Sequence, residues 1–335
     1  MAPALPLGSA LRRGALVTAA NWPVVAIELV LETLLKAAVA VPILGGAFMV
    51  AVLLDADVRT LVDGGIRAMA EQILNLLTNA PAAFSSFVTA IAVVGFGGSI
   101  IMFVIKAGTL AILVEGERRA PDADRTAVRL DWFRRSSAFR IDLLLEAITR
   151  FRGRSIVLAI ALGIAYVAIA FVYGTLMRAT FGLTDDPVWV SVWPFAVAVI
   201  TSAGLVSIAT INLFYDLTRI IMVAEDCAIG VAVRRLWRFV VADVRQVLGI
   251  FGVMGAISAV ATAAALVATA GLALISWVPI VGLIVLPLQV VAWLIRGLVF
   301  QFMDLMTMVA YEAQYRRFAG LEAQPSSPRL WVQGA

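Results

Sequence analysis

The chain has 335 residues, of which 62% are hydrophobic and 14% are charged, and its mean hydropathy is +0.99. Soluble domains are about 45–50% apolar and about 25% charged. This balance therefore excludes a soluble globular enzyme, a disordered chain and a collagen-like fibre. It is typical of an integral membrane protein built from helices, because a helix satisfies its own peptide groups where lipid offers no hydrogen bonds.

The residue counts narrow the possible chemistry further. The chain contains no histidine and one cysteine, Cys227. These counts exclude Ser–His and Cys–His catalysis, histidine-ligated haem, most transition-metal sites and an intrachain disulfide. We therefore expect no cofactor and no metal. The net charge is +4. Because most arginines fall in the loops predicted for one side of the membrane, we expect anionic lipid rather than nucleic acid as a partner.

Six apolar stretches are long enough to cross a bilayer core, which takes ~20 helical residues. They lie near 24–54, 83–114, 155–177, 191–223, 247–275 and 280–311. The sequence predicts an all-α polytopic membrane protein, with six transmembrane helices in three hairpins and amphipathic helices at the interface. We expect one six-span domain over residues 1–320 and a loose C-terminal tail over 321–335.

The basic residues predict the orientation of these spans. The N-terminus, the loops 115–154 and 217–246 and the C-terminus hold 20 of the 26 lysines and arginines. The loops on the opposite side hold Arg59, Arg67 and Arg178. Because basic residues accumulate on the cytoplasmic side, both termini are predicted to be cytoplasmic. The composition, rich in Ala, Val and Arg, indicates a bacterial protein of the inner membrane.

Each predicted hairpin repeats one plan, a basic amphipathic helix on the inner surface followed by a span out and a span back. The inner helices are predicted to begin at paired arginines, at 12–13, 134–135 and 234–235. The third reads RRLWRFVVADVRQVLGIFG and has its apolar residues at helical spacing, as in helices that lie in the headgroup layer. We therefore predict contacts with anionic lipid at Arg134, Arg135, Arg234, Arg235 and Arg238.

This third segment, followed by a span of small residues, resembles the multi-span membrane domains found beside bacterial glycerophosphodiester phosphodiesterases. It is also similar to domains of several uncharacterised bacterial membrane families. The resemblance covers about residues 230–275 and is a pattern of a basic helix followed by a span. The phosphodiesterase catalytic domain is not matched, because no segment between the spans is long enough to hold it. The resemblance therefore implies a membrane domain and no catalytic residues.

The charged residues inside the predicted spans are the strongest candidates for a functional site. A lone charge at the bilayer centre costs at least ~2.5–3.5 kcal/mol, so such residues should face each other or water. One charge in each returning span lies about 14 Å from the inner boundary, at 1.5 Å per residue. We therefore predict that Lys106 pairs with Asp216 or Asp304. The whole predicted network consists of Glu28, Glu32, Lys36, Lys106, Asp216, Arg296 and Asp304.

The network has three interpretations. It is a path for an ion, a proton or a polar headgroup, or it is a set of buried ion pairs that fixes helix packing. In the third interpretation the first span begins near residue 37, which leaves Glu28, Glu32 and Lys36 at the wet interface.

Three functions match these interpretations. The first is a non-catalytic membrane protein, a scaffold or accessory subunit, which packs against lipid and other membrane subunits. The second is a transporter or permease with a path past the intramembrane charges. The third is an intramembrane enzyme that acts on lipid through carboxylates, and it has no histidine or metal set to support it. We expect the first, and no enzyme activity.

Overall fold

A computed structural model describes residues 5–53, 81–120, 130–181, 187–276 and 279–321. Within these ranges the chain folds into helices and short turns, with no strand. Most of the predicted tail, residues 322–335, lies outside the described residues. The helices are α1 Leu7–Ala20, α2 Trp22–Leu53, α3 Pro81–Arg118, α4 Leu130–Ser136, α5 Ile141–Phe181, α6 Pro187–Glu225, α7 Ile229–Ala242, α8 Val244–Ser276 and α9 Pro279–Phe318.

Among the helices that the structure describes, one short helix precedes each pair of long helices, and this order occurs three times. Each of the six predicted spans falls on one long helix. Five of these, α3, α5, α6, α8 and α9, are long and apolar enough to cross a membrane. The described part of the chain is thus all-helical, and its long apolar helices indicate a membrane protein. A crossing by α2 stays a prediction, because its first half carries Glu28, Glu32 and Lys36.

The prediction that paired arginines begin the inner helices is wrong. The pairs at 12–13 and 234–235 lie inside α1 and α7, and the pair at 134–135 lies at the end of α4. Residues 137–140 are not helical, and α5 then runs without a break from Ile141 into the span. The break is stabilised by Asn21, whose side chain donates to the carbonyl of Ser136 and accepts from the N–H of Ala138.

The chain divides into two compact units, Met1–Glu28 with Val104–Ala335, and Leu29–Phe103. The core of the first unit lies toward the C-terminal ends of α3, α6 and α9, with α1 and α7 packed into it. It includes Ile112, Ile220, Leu236 and Leu305. In the second unit, Gly98 of α3 lies against Leu35 of α2, at a spacing that leaves no room for a Cβ.

Close approach of helices also shapes the first unit. A Cβ at Gly14 of α1 would collide with the backbone carbonyl of Met306 in α9. Glycine at this position therefore lets two helices touch backbone to backbone, a contact typical of helix pairs in membranes. The first unit thus brings the C-terminal parts of α3, α6 and α9 into one core, and this packing positions the candidate site.

Candidate functional site

Five charged side chains of the first unit lie close together in the structure. We call them the charge cluster: Glu28 of α2, Lys106 of α3, Asp216 and Arg219 of α6, and Asp304 of α9. Lys106, Asp216 and Asp304 stand at equivalent positions in the aligned sequences of the three returning helices, and the structure brings them into one cluster with Glu28 and Arg219.

Lys106 lies between two carboxylates. Its Nζ atom is 3.2 Å from Oδ2 of Asp304 and 3.8 Å from Oε2 of Glu28. The first distance is that of a hydrogen-bonded ion pair, and the second is beyond hydrogen-bond distance. The contact with Asp304 is one of the two pairings that the aligned spans predict.

Arg219 is the member of the cluster that the predicted network does not include. Its side chain is 2% exposed, and its Nη2 atom is 3.1 Å from Oδ1 of Asp216, one helical turn before it. The guanidinium also lies 3.0 Å from the sulfur of Met308 and over the ring of Tyr215. The spacing i, i+3 from Asp216 is the sequence signal for this pair.

Glu28 is the most deeply buried acid of the cluster. Its side chain is 1% exposed, and its Oε1 atom lies 2.5 Å from the hydroxyl oxygen of Thr109 on α3. Asp216 and Asp304 are 33% and 41% exposed. The cluster holds three carboxyl groups and two cations, so its acids outnumber its bases.

The structure does not bring the whole predicted network together. Glu32 and Lys36 belong to the second unit, where they form an i, i+4 pair of 2.5 Å with partly exposed side chains. Arg296 is exposed, and its guanidinium stacks over the ring of Phe300, its neighbour one turn further along α9. We therefore define the charge cluster of the first unit without these three residues.

Sequence reasoning also missed a second buried ion pair. Arg13 was expected at the inner surface, but its Nε atom lies 2.5 Å from Oε1 of Glu117 and both side chains are buried. The available signal was helical spacing. Ala10, Gly14 and Val17 share one side of α1 with Arg13, and this side packs into the core.

The predicted lipid-contacting arginines differ in their surroundings. Helix α7 buries Leu236 and Phe239 and exposes Arg234 and Arg238 on its other face. Trp237 is exposed beside them, and Arg134 and Arg135 of α4 are exposed too. Arg235 instead contacts Glu225, which also accepts a hydrogen bond from Tyr315.

Ion pairs to Asp226 stabilise the turn between α6 and α7. Asp226 has a φ of 51°, a left-handed conformation that aspartate tolerates. Arg150 and Arg154 of α5 both contact its carboxylate. Burial alone would raise the pKa of Asp226, but the two arginines outweigh it and hold that pKa below its ordinary value. Burial raises the pKa of the neighbouring Cys227 thiol.

Within the described ranges, no three His, Cys, Asp or Glu side chains come together as a metal site. Comparison of the chain with family models, curated proteins and solved structures finds no match. The chemistry of the charge cluster is therefore argued from its own geometry. Each of its two cations contacts a carboxylate of the same chain, so the cluster compensates buried charge inside the chain.

Proposed function

We propose that this chain is a non-catalytic protein of the bacterial inner membrane, with both termini in the cytoplasm, which packs against anionic lipid and other membrane subunits. One observation carries the proposal. The two cations of the charge cluster are each bound to a carboxylate of the same chain, Lys106 to Asp304 and Arg219 to Asp216. Charges already paired within the chain support a structural role.

The energetics of buried charge favour this interpretation. Leaving one partner of a buried pair alone costs about 3–5 kcal/mol, while the pair itself contributes little net stability. We infer that the Lys106–Asp304 pair specifies the contact between α3 and α9, which lies beside the core of the first unit.

The lipid part of the proposal rests on α7. This helix presents Arg234, Trp237 and Arg238 on the face opposite its buried side. Cations beside an exposed tryptophan are typical of helices that lie in the headgroup layer, and each such cation contributes about 1 kcal/mol at an anionic surface. The resemblance of residues 230–275 to the membrane domains beside phosphodiesterases agrees with a membrane-bound module of this kind.

The subunit part of the proposal rests on Arg296. It lies within a long apolar helix, its side chain is exposed, and no acid pairs with it among the residues that the structure describes. An arginine that faces lipid costs at least ~2.5–3.5 kcal/mol. An acidic or hydrogen-bonding group on a neighbouring subunit would remove that cost, which makes this face of α9 a contact surface.

A transporter is the second candidate, and one observation favours it. Asp216 and Asp304 keep a third or more of their side-chain surface exposed although they lie in apolar helices. Carboxylates exposed at this depth are expected to face water or a partner. A path would therefore enter the cluster from these two residues.

Native mass spectrometry of the protein extracted gently from its own membrane tests the proposal. We expect other membrane proteins and anionic lipid to remain bound. Replacing Arg234 and Arg238 with Gln should lower lipid retention, while the matched change Arg178→Gln at the predicted outer end should not. A protein that travels alone, with equal lipid retention in both variants, would contradict the proposal.

A further inference from the structure

The carboxyl group of Glu28 is buried, with 1% of its side chain exposed. Its Oε2 atom is buried and has no hydrogen-bond partner in the described part of the chain. The nearest cation, Nζ of Lys106, is 3.8 Å from that atom and thus beyond hydrogen-bond distance. An ionised carboxylate has two strong acceptor oxygens, and burying one of them unsatisfied is costly.

The two contacts of the Thr109 hydroxyl indicate the protonation state of Glu28. The hydroxyl oxygen of Thr109 lies 2.5 Å from Oε1 of Glu28 and 3.0 Å from the carbonyl oxygen of Lys106. A threonine hydroxyl has one proton, while a carboxylate and a carbonyl only accept. If Glu28 is ionised, only one of the two contacts contains a proton. If Glu28 is protonated, it donates to Thr109 and Thr109 donates to the carbonyl.

The balance of charges in the cluster also indicates that Glu28 is protonated. The groups that face Glu28 are Lys106 and Thr109 from α3, Arg219 and Asp216 from α6, and Asp304 from α9. Asp304 takes the closer contact with Lys106, and Asp216 takes Arg219. Both cations are then paired, and an ionised Glu28 would add a third, uncompensated negative charge.

We propose that Glu28 is a proton-binding site, neutral in the folded protein, whose proton holds the start of α2 to α3 through Thr109. Loss of the proton to water leaves a carboxylate in the buried cluster. The contact between Glu28 and Thr109 then competes with the bond to the Lys106 carbonyl. The free energy of unfolding should therefore fall as pH rises above about 4.3, where the unfolded chain loses this proton, and it should level off once the folded protein has lost it too, because burial disfavours the charged form of Glu28.

Infrared difference spectroscopy of the purified full chain tests this proposal. A protonated carboxyl group has a C=O stretching band that a carboxylate lacks and that shifts in D₂O. At neutral pH we expect this band in the spectrum of the wild-type chain minus that of Glu28→Gln. The matched change Glu32→Gln, at an exposed acid one turn along α2, should leave no such band in its difference spectrum.

Absence of the band, or its survival in Glu28→Gln, would overturn the proposal. Thr109→Val is a second variant that keeps Glu28 and removes its hydrogen-bond acceptor, so the frequency of the band should move. An unmoved frequency would also overturn the proposal. Because the amide of Gln donates as the protonated acid does but does not titrate, Glu28→Gln should melt at or above the wild-type temperature at neutral pH and should lack the fall in stability with rising pH.

Discussion

Removal of the Lys106 charge is the perturbation with the clearest expected size. Lys106→Met keeps most of the side-chain volume and leaves Asp304 without its cation. Breaking a buried pair costs about 3–5 kcal/mol. Asp304 is 41% exposed and keeps part of its solvation, so the lower value of about 3 kcal/mol applies. At about 2 °C per kcal/mol for a long chain, the melting temperature should fall by about 6 °C.

Thermal unfolding in detergent measures this effect, and the chain offers a matched control. Its other lysine, Lys36, forms an exposed i, i+4 pair with Glu32, and such pairs contribute only about 0.3–0.5 kcal/mol. Lys36→Met should therefore leave the melting temperature almost unchanged.

The second-site variants then identify the partner of Lys106. Adding Asp304→Asn to Lys106→Met should recover part of the lost stability, because it removes the carboxylate left unpaired. The account is refuted if Lys106→Met costs no more than Lys36→Met. It is also refuted if Asp216→Asn, and not Asp304→Asn, gives the recovery.

Three further predictions concern orientation, packing and pH. Reporter fusions after residues 70, 130, 185, 230 and 320 should report out, in, out, in and in, and an outer signal at 130 or 230 would reverse the orientation. Gly14→Ala places a Cβ against the carbonyl of Met306 and should cost about 1–3 kcal/mol in unfolding experiments, while Gly8→Ala, with open space around it, should cost little. Because the arginines lower the pKa of Asp226, its stabilising effect is present above about pH 4 and is lost as pH falls through the lowered pKa. The difference in melting temperature between wild type and Asp226→Asn should therefore shrink in acid, and a constant difference would contradict this cause.

Hydropathy and helical periodicity were sufficient to predict the helical architecture. A helix satisfies its own peptide hydrogen bonds in lipid, so long apolar runs predict helices. Each predicted span coincides with a long helix. The ends of the short helices were not predictable in the same way. The break before Ile141 depends on Asn21, more than a hundred residues away in sequence, and no local pattern reports a contact of that kind.

The candidate site was predictable only in part, for the same reason. Equivalent depth in the repeated spans places Lys106 and Asp304 at one level, and the structure pairs them. Depth does not give the rotation of each helix about its axis. Arg296 was therefore grouped with the cluster although its side chain is exposed, and Arg13 was assigned to the surface although it is buried against Glu117.

A variant without charges in the cluster tests the central claim most directly. It carries Glu28→Gln, Lys106→Met, Asp216→Asn, Arg219→Met and Asp304→Asn. Replacing buried ion pairs by neutral residues of similar volume is often neutral for stability. The variant is expressed in place of the natural chain. A structural role predicts that it folds, enters the same native complex and fully restores the phenotype lost on deletion. A variant that folds and assembles normally but fails to restore the phenotype would contradict the account and indicate a path through the charges.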